Sequence, residues 1–331
     1  METRRIKAFL NQFLAVSLGL AAIFLVQNRA ERGRSYWAAA ALMPVLALGV
    51  FLMQRLIQTP EKLKHKVPRW LAYGISALLQ IGLLAVLLTQ DFQLIHSTIG
   101  RLFLSVLAAG GAALLFLTTE KPGSPQRSFI TALLVFGALY RAAAFLPELQ
   151  PGPFALGWSE GSRFYNASLF LSGRIYGQKL PLPVLHPSRY LLQAFPFLLG
   201  IKSILAHRVW QVLLWLGMSA WGAALFARRL GKDQGISFGL LTIWAALFFF
   251  QGAVYYHLMG CVILVLLGYR KDKIWRTLAF VILASLWAGI SRVNWMPLPG
   301  LLAGALYLLD EPLGQKKWLK YLAPVLLWAV L

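Results

Sequence analysis

The stretch YLLQAFPFLLGIKSIL, residues 190–205, decides how this chain is arranged. It is apolar enough to be counted as a membrane crossing. Pro196 and Gly200 weaken it as a spanning helix without forbidding one. Charge elsewhere in the chain settles the choice. If Tyr190–Leu205 crosses, every later loop changes side, and ARRLGK (227–232), YRKDK (269–273) and QKKWLK (315–320) fall outside. If it does not cross, these three runs share a side with RRIK (4–7), EKLKHKVPR (61–69) and EKPGSPQR (120–127). Cytoplasmic loops carry the excess of Lys and Arg. The stretch is therefore expected to return to the side it came from, or to lie at the interface against a helix bundle.

Working outward, the chain has 331 residues, of which 59% are hydrophobic and 13% charged, too little polar surface for a soluble domain. Its apolar runs are long enough to cross a bilayer core as helices. Five candidate spans precede the stretch: Phe9–Val26, Tyr36–Leu56, Trp70–Leu88, Leu102–Thr118 and Phe129–Leu146. Six follow it: Val209–Ala227, Ile236–Phe250, Ala253–Leu267, Ile274–Ile290, Met296–Leu309 and Leu319 to the end. The reading is an all-α polytopic membrane protein with about 11 transmembrane helices and a cytoplasmic N-terminus. METRRIKAFLNQF has the positive flank of a signal peptide but no clean small-residue cleavage site, so the first run reads as an uncleaved span. The chain stops inside the apolar run YLAPVLLWAVL, which reads as a core cut short at its C-terminal end.

The net charge of +21 fits loops facing anionic lipid better than nucleic acid, because the basic residues lie in short loops and not in one patch. The single cysteine, Cys261, sits in an apolar run, so no intrachain disulfide or thiolate metal site is expected. His186, His207 and His257 lack close ligand spacing. A divalent metal would need Glu148 and Glu160 folded together, so none is expected, and no cofactor is firmly implied. The phosphate-cradling, dinucleotide and HExxH motifs are absent.

The segment 147–208 becomes one large external loop. Its prolines cut it into short pieces, and Phe164–Ile175 has the apolar spacing of a short helix lying flat on the membrane. Outside the cytoplasm the carboxylates are few: Glu31, Asp91, Glu148 and Glu160. Glu148 and Glu160 belong to the loop and are the candidate bases. Glu160 is preferred, because Trp158 beside it would supply a partly apolar setting that raises a carboxylate's pKa toward a useful base. The alternative is a structural pair with Arg163, three positions on. Arginine's fork suits phosphate, and a lipid phosphate lies at the depth where spans emerge. Arg141 and Arg292 end spans at that depth. Arg163 and Tyr165 after Glu160, His186 and Arg189 in LHPSRY, Arg208, and His257 after Tyr255-Tyr256 complete the candidate substrate- and phosphate-binding set. For Arg141 and Arg292, snorkelling or contact with ordinary lipid headgroups is the competing reading.

The order of these pieces resembles the core of the GT-C superfamily of integral-membrane glycosyltransferases, such as lipid A aminoarabinose transferases and protein O-mannosyltransferases. The pieces are a span ending in Arg141, then WSEGSRFYNASLFLSGRIYG (158–177), LPLPVLHPSRYLLQAFPFLLG (180–200) and HRVWQVLLWLGMSAWGAALFARRLG (207–231). The resemblance covers about Phe129–Leu309. It implies a GT-C-like helix bundle at 121–331 behind an additional four-helix region at 1–120. It makes Glu160 the match for the family's catalytic carboxylate and Tyr165 for its tyrosine. His186 and Pro187 match its His-Pro step, and Arg208 the basic residue opening the next span. The implied partners are a polyprenyl-phosphate-linked sugar donor, a glycan, lipid or protein acceptor, and membrane lipid. The implied place is the external face of the plasma (inner) membrane. In the implied reaction, Glu160 activates an acceptor that attacks the anomeric carbon, and arginines offset the departing lipid phosphate. Three other functions stay open: a lipid-linked glycan ligase or polymerase, a transporter or flippase, and a non-catalytic scaffold. The span centres are nearly free of charge, which speaks against transport.

Overall fold

The computed structural model describes residues 2–30, 32–58, 67–89, 93–117, 119, 124–152, 159–230, 235–251, 255–310 and 326. Among them every regular element is a helix, apart from one isolated bridge between Val67 and Thr119. The chain divides into two compact units, Met1–Arg141 and Ala142–Leu331.

The first unit is built from α1 (Glu2–Gln27), α2 (Arg34–Gln58), α3 (Arg69–Thr89), the short α4 (Gln93–His96), α5 (Thr98–Leu117) and most of α6 (Pro125–Ala143). Phe9, Leu10, Phe13, Val50, Val106 and Ala113 form one core cluster. Close helix approach there depends on Gly110, where an added Cβ would lie 2.1 Å from the Phe13 ring. α3 shows the reversed polarity of a membrane helix. Its Ser76 and Gln80 are buried, while Leu78 is 71% and Ile81 56% exposed. Water would penalise that arrangement and acyl chains favour it.

The second unit begins with the end of α6 and a 3-10 turn at Leu146–Glu148. Next come α7 (Glu160–Ser168), a 3-10 turn at Leu169–Leu171, and α8 (Ser172–Tyr176). These are followed by α9 (Pro187–Gln193) and α10 (Phe195–Leu198). The 190–205 stretch thus holds the end of the 7-residue α9, the 4-residue α10 and the first two residues of the next helix, and neither short helix can cross a bilayer. Pro196 opens α10, and Gly200 takes a positive φ of 78° where the chain turns away. The unit's body is α11 (Ile204–Arg229), α12 (Gly235–Phe249), α13 (Tyr256–Gly268), α14 (Ile274–Gly289) and α15 (Leu298–Asp310). Its core joins Cys261, Val265 and Tyr269 to Val281, Ala284 and Ala288, and to Ala303, Leu306 and Tyr307. Gly268 lets α13 meet Phe280 of α14, whose ring carbon would be 2.0 Å from an added Cβ.

The membrane count corrects the sequence reading of about 11 transmembrane helices. Among the described residues six segments are long and apolar enough to cross: Arg4–Gln27, Arg34–Arg55, Arg69–Thr89, Thr98–Leu117, Pro125–Glu148 and Ile204–Arg229. The apolar runs expected at 236–250, 253–267, 274–290 and 296–309 form helices of 15, 13, 16 and 13 residues. At ~1.5 Å per residue such helices span roughly 20–24 Å, short of a ~30 Å hydrocarbon core. Hydropathy registers the apolar residues but not where a helix stops: α13 ends as Tyr269 turns to extended backbone, and α14 ends at Gly289, shortly before Arg292 does the same. The expected span from Leu319 onward lies outside the described residues, apart from Leu326.

Candidate functional site

Glu160 opens α7 and is 1% exposed. Its partner is Arg208, the fifth residue of α11, which is 0% exposed. Arg208 Nε donates to Oε1 at 2.7 Å and NH2 donates to Oε2 at 2.7 Å. The remaining guanidinium nitrogen, NH1, donates to the Gln150 carbonyl. This is the parallel two-bond geometry that makes arginine–carboxylate pairs strong. It ties the start of α7 to α11 across 48 residues of chain. His207 next door supports the tie. Its ring lies 4.0 Å from the Phe197 ring and 5.4 Å from the Phe164 ring, centroid to centroid. Trp210 Nε1 donates to the Leu192 carbonyl at 2.8 Å, which pins α9 to α11.

Arg163 does not take the Glu160 carboxylate. It donates to the Ser159 hydroxyl, from Nε at 3.2 Å and NH2 at 2.7 Å. Burial pushes its pKa below the ordinary value, and Arg189 adds to that. Glu148, in the Leu146–Glu148 turn, is half-buried and within electrostatic reach of Arg163 and Glu160. Tyr165 is 52% exposed on α7. Arg141 is exposed in the last turn of α6 and belongs to the first unit. Trp158, Glu31 and Asp91 lie outside the described residues.

Four of the expected phosphate-binding residues do come together. His186, Arg189, His257 and Arg292 line a cavity of about 240 Å³ with Tyr255, Leu258, Ser291 and Trp295. His186 precedes α9 with φ 57° and ψ 43°, the one left-handed non-glycine residue among the described residues. Pro187 disfavours the right-handed helical region at His186, and histidine tolerates the left-handed one better than most residues. Such a conformation costs on the order of 1–3 kcal/mol, and residues held this way cluster at functional sites. α9 is fixed to α13 by Gln193 Nε2, which donates to the Tyr256 hydroxyl at 2.6 Å. Tyr255 precedes α13 and His257 lies in its first turn, while Ser291 and Arg292 come from the turn between α14 and the 3-10 turn Val293–Trp295.

The chemistry of this cavity is one-sided. Arg292 NH2 lies 3.4 Å from His186 Nε2. A guanidinium only donates, so Nε2 must accept and Nδ1 carries the proton. His186 Nδ1, Arg189 Nε, Ser291 Oγ and His257 Nδ1 are buried and lack hydrogen-bond partners. No carboxylate lines the cavity. Burial pushes His257 down to about 3, with Arg189, His186 and Arg292 adding to the shift. His186 is lowered first by burial, then by Arg292 and Arg189. Both imidazoles are therefore neutral at pH 7 beside two arginines. Unsatisfied buried donors in a positive field are the signature of a place for an anion.

Leu258 and Trp295 also line an apolar cavity of about 180 Å³, bounded further by Cys261, Val262, Ala288, Leu298, Pro299 and Leu302. A cationic pocket and an apolar groove thus share a wall. Cys261 is buried there and donates to the Ala284 carbonyl, so it packs and is not a free nucleophile. Among the described residues no group of three His, Cys, Asp or Glu side chains could hold a metal ion. Sequence reading did not single out Ser291, Gln193 or the groove. The adjacency of Ser291 to Arg292 at the end of an apolar run was the one available signal.

No protein-family model, curated protein or solved structure matches this chain.

Proposed function

We propose that this chain is an integral-membrane glycosyltransferase that takes a sugar from a polyprenyl-phosphate carrier and passes it to an acceptor. One observation carries the reading: a donor-lined cationic cavity shares Leu258 and Trp295 with an apolar groove. A phosphate on an apolar chain has matching parts. The order of the LHPSRY segment and the SEGSRFY helix, which resembles GT-C enzymes, supports the same reading. In the reaction, attack at the anomeric carbon frees a lipid phosphate. Arg189 and Arg292 offset its charge, while His186 and Ser291 donate hydrogen bonds to it. A leaving group that is already a phosphate needs no strong general acid. Glu148 and Glu160 are the carboxylates that would orient the acceptor.

A second reading keeps the ligand and drops the chemistry. Because both Glu160 oxygens are engaged by Arg208, the chain would bind a lipid phosphate without transferring its sugar. One experiment addresses both. Purified protein in lipid nanodiscs is given radiolabelled polyprenyl-phosphate sugars and acceptor extracts, and binding and transfer are measured together. Transfer that falls in Arg189→Gln and Arg292→Gln supports the enzyme. Donor binding without transfer from a folded protein supports the second reading. Absence of donor binding overturns both.

A further inference from the structure

At the other end of α13 lies a second cavity, of about 700 Å³, that the proposed reaction does not use. Its cationic side is Arg228 and Arg229 from the last turn of α11 with Arg270 and Lys271 from the turn after α13. Its apolar wall is Leu225, Leu266 and Leu267. Arg229 is already committed. It donates to Asp310 and lies 4.4 Å over the Tyr269 ring. That leaves Arg228 and Arg270, with Lys271 and Asp272 completing the charged side of the cavity. Arg228 and Arg270 make no side-chain hydrogen bond or ion pair among the described residues.

The turn that presents Arg270 is rigid. Thr277, 1% exposed, accepts from the Arg270 amide at 2.9 Å and donates to the Arg270 carbonyl at 2.9 Å. Close by, Trp275 is 79% exposed and Arg276 donates to the Leu267 carbonyl. An exposed tryptophan at a helix start is the mark of a membrane–water boundary. Cations held on a fixed turn above an apolar wall at that boundary match an amphiphile with an anionic head.

We propose that this cavity binds the phosphate of an anionic phospholipid, with the headgroup on Arg228 and Arg270 and the first acyl carbons along Leu225, Leu266 and Leu267. A free phosphate shares the head chemistry but would make no use of the apolar wall. The site does not depend on the proposed transfer reaction and lies apart from the cavity at His186.

The test uses the full chain, purified in a neutral detergent and exposed to phosphatidylglycerol, phosphatidylcholine or inorganic phosphate, with native mass spectrometry and thermal unfolding as readouts. Phosphatidylglycerol should be retained and should raise the melting temperature, while phosphatidylcholine does neither. The double variant Arg228→Gln/Arg270→Gln should lose about thirtyfold in phosphatidylglycerol affinity. Arg228→Lys/Arg270→Lys should keep most of it. Both pairs are exposed, and an unchanged melting temperature without lipid shows that they fold. Equal retention of both phospholipids, or unchanged affinity in the Gln pair, overturns the proposal. Stabilisation by inorganic phosphate that matches phosphatidylglycerol and vanishes in the Gln pair overturns the lipid assignment and makes it a free-phosphate site. Donor binding at the His186 cavity is read separately with Arg292→Gln, so failure of one site is not failure of the other.

Discussion

Replacing Glu160 with Gln should destabilise the second unit far more than a surface change. The Glu160 and Arg208 side chains are 2% and 0% exposed and are joined by two bonds of 2.7 Å. Glu160→Gln keeps the shape but leaves the Arg208 charge buried without its counter-ion. Breaking one side of such a pair costs about 3–5 kcal/mol, most of it the stranded charge. Arg208→Met strands the opposite charge and should cost a similar amount. Glu160→Leu alone also strands Arg208 and closes the cycle, while the double variant Glu160→Leu/Arg208→Met removes both charges and should recover most of the loss, because a well-packed apolar replacement is close to neutral. The two single losses of the cycle should therefore fail to add, with a coupling of about 3 kcal/mol or more. The assay is equilibrium unfolding in mixed micelles followed by tryptophan fluorescence, with the parent, the singles and the double. A loss below about 1 kcal/mol in Glu160→Gln, or additive losses in the double, would refute the clamp. The same series separates two roles. A carboxylate serving only as a base would leave stability untouched when changed to Gln while transfer collapsed.

Further outcomes follow from the cationic cavity. Arg292→Gln and Arg189→Gln should each lower lipid-phosphate affinity about tenfold, read by binding to nanodiscs doped with polyprenyl phosphate. Val262→Trp should obstruct the apolar groove, weakening long-chain polyprenyl phosphate while leaving a short-chain phosphate ester unchanged in the same assay. Stability should fall with acid. His257 is held at about 3 against an ordinary 6.5, so the folded chain binds fewer protons than the unfolded one between those values. Its contribution is fully present above pH 6.5 and is lost toward pH 3, on the order of a few kcal/mol, and His257→Phe should flatten that slope. Ligand affinity should move the other way. A bound anion favours protonated His186 and His257, so a sulfate-headed amphiphile, whose own charge does not titrate, should bind more tightly at pH 5.5 than at 7.5.

The parts legible in the sequence were those set by local pattern. Loop charge, with Pro196 and Gly200 only weakening the run, pointed to a stretch that does not cross, and short helices stand there. The spacing of Phe164, Ala167 and Leu171 pointed to a short helix, and α7 covers its first part. His186, Arg189, His257 and Arg292 were chosen for chemical type at the ends of apolar runs, and they meet in one cavity. What hydropathy could not supply was length. The runs in the last third are apolar, yet their helices are 13–16 residues long, and the one end with a plain backbone cause is α13's, where Tyr269 turns extended. Pairing across long chain separation was equally hidden. Arg163 is Glu160's neighbour along the helix, but Arg208, 48 residues away, makes the bonds. Nothing local distinguishes the two arginines.

The shortness of α13, α14 and α15 bears on the lipid itself. Their outward leucines, among them Leu283, Leu286 and Leu301, are 53%, 53% and 49% exposed. Set in the bilayer beside α11, which at 26 residues is long enough to cross, these helices would give acyl chains a surface only ~20–24 Å tall, and the chains would compress or tilt there at a fraction of a kcal/mol for each ångström of mismatch. The bilayer beside this unit would dimple, drawing headgroups from both leaflets inward toward the two ends of α13, where the cationic cavities open. The protein would concentrate in thin membrane, and reconstitution in lipids of graded chain length should show its clustering fall as the acyl chains shorten toward the helices' own length.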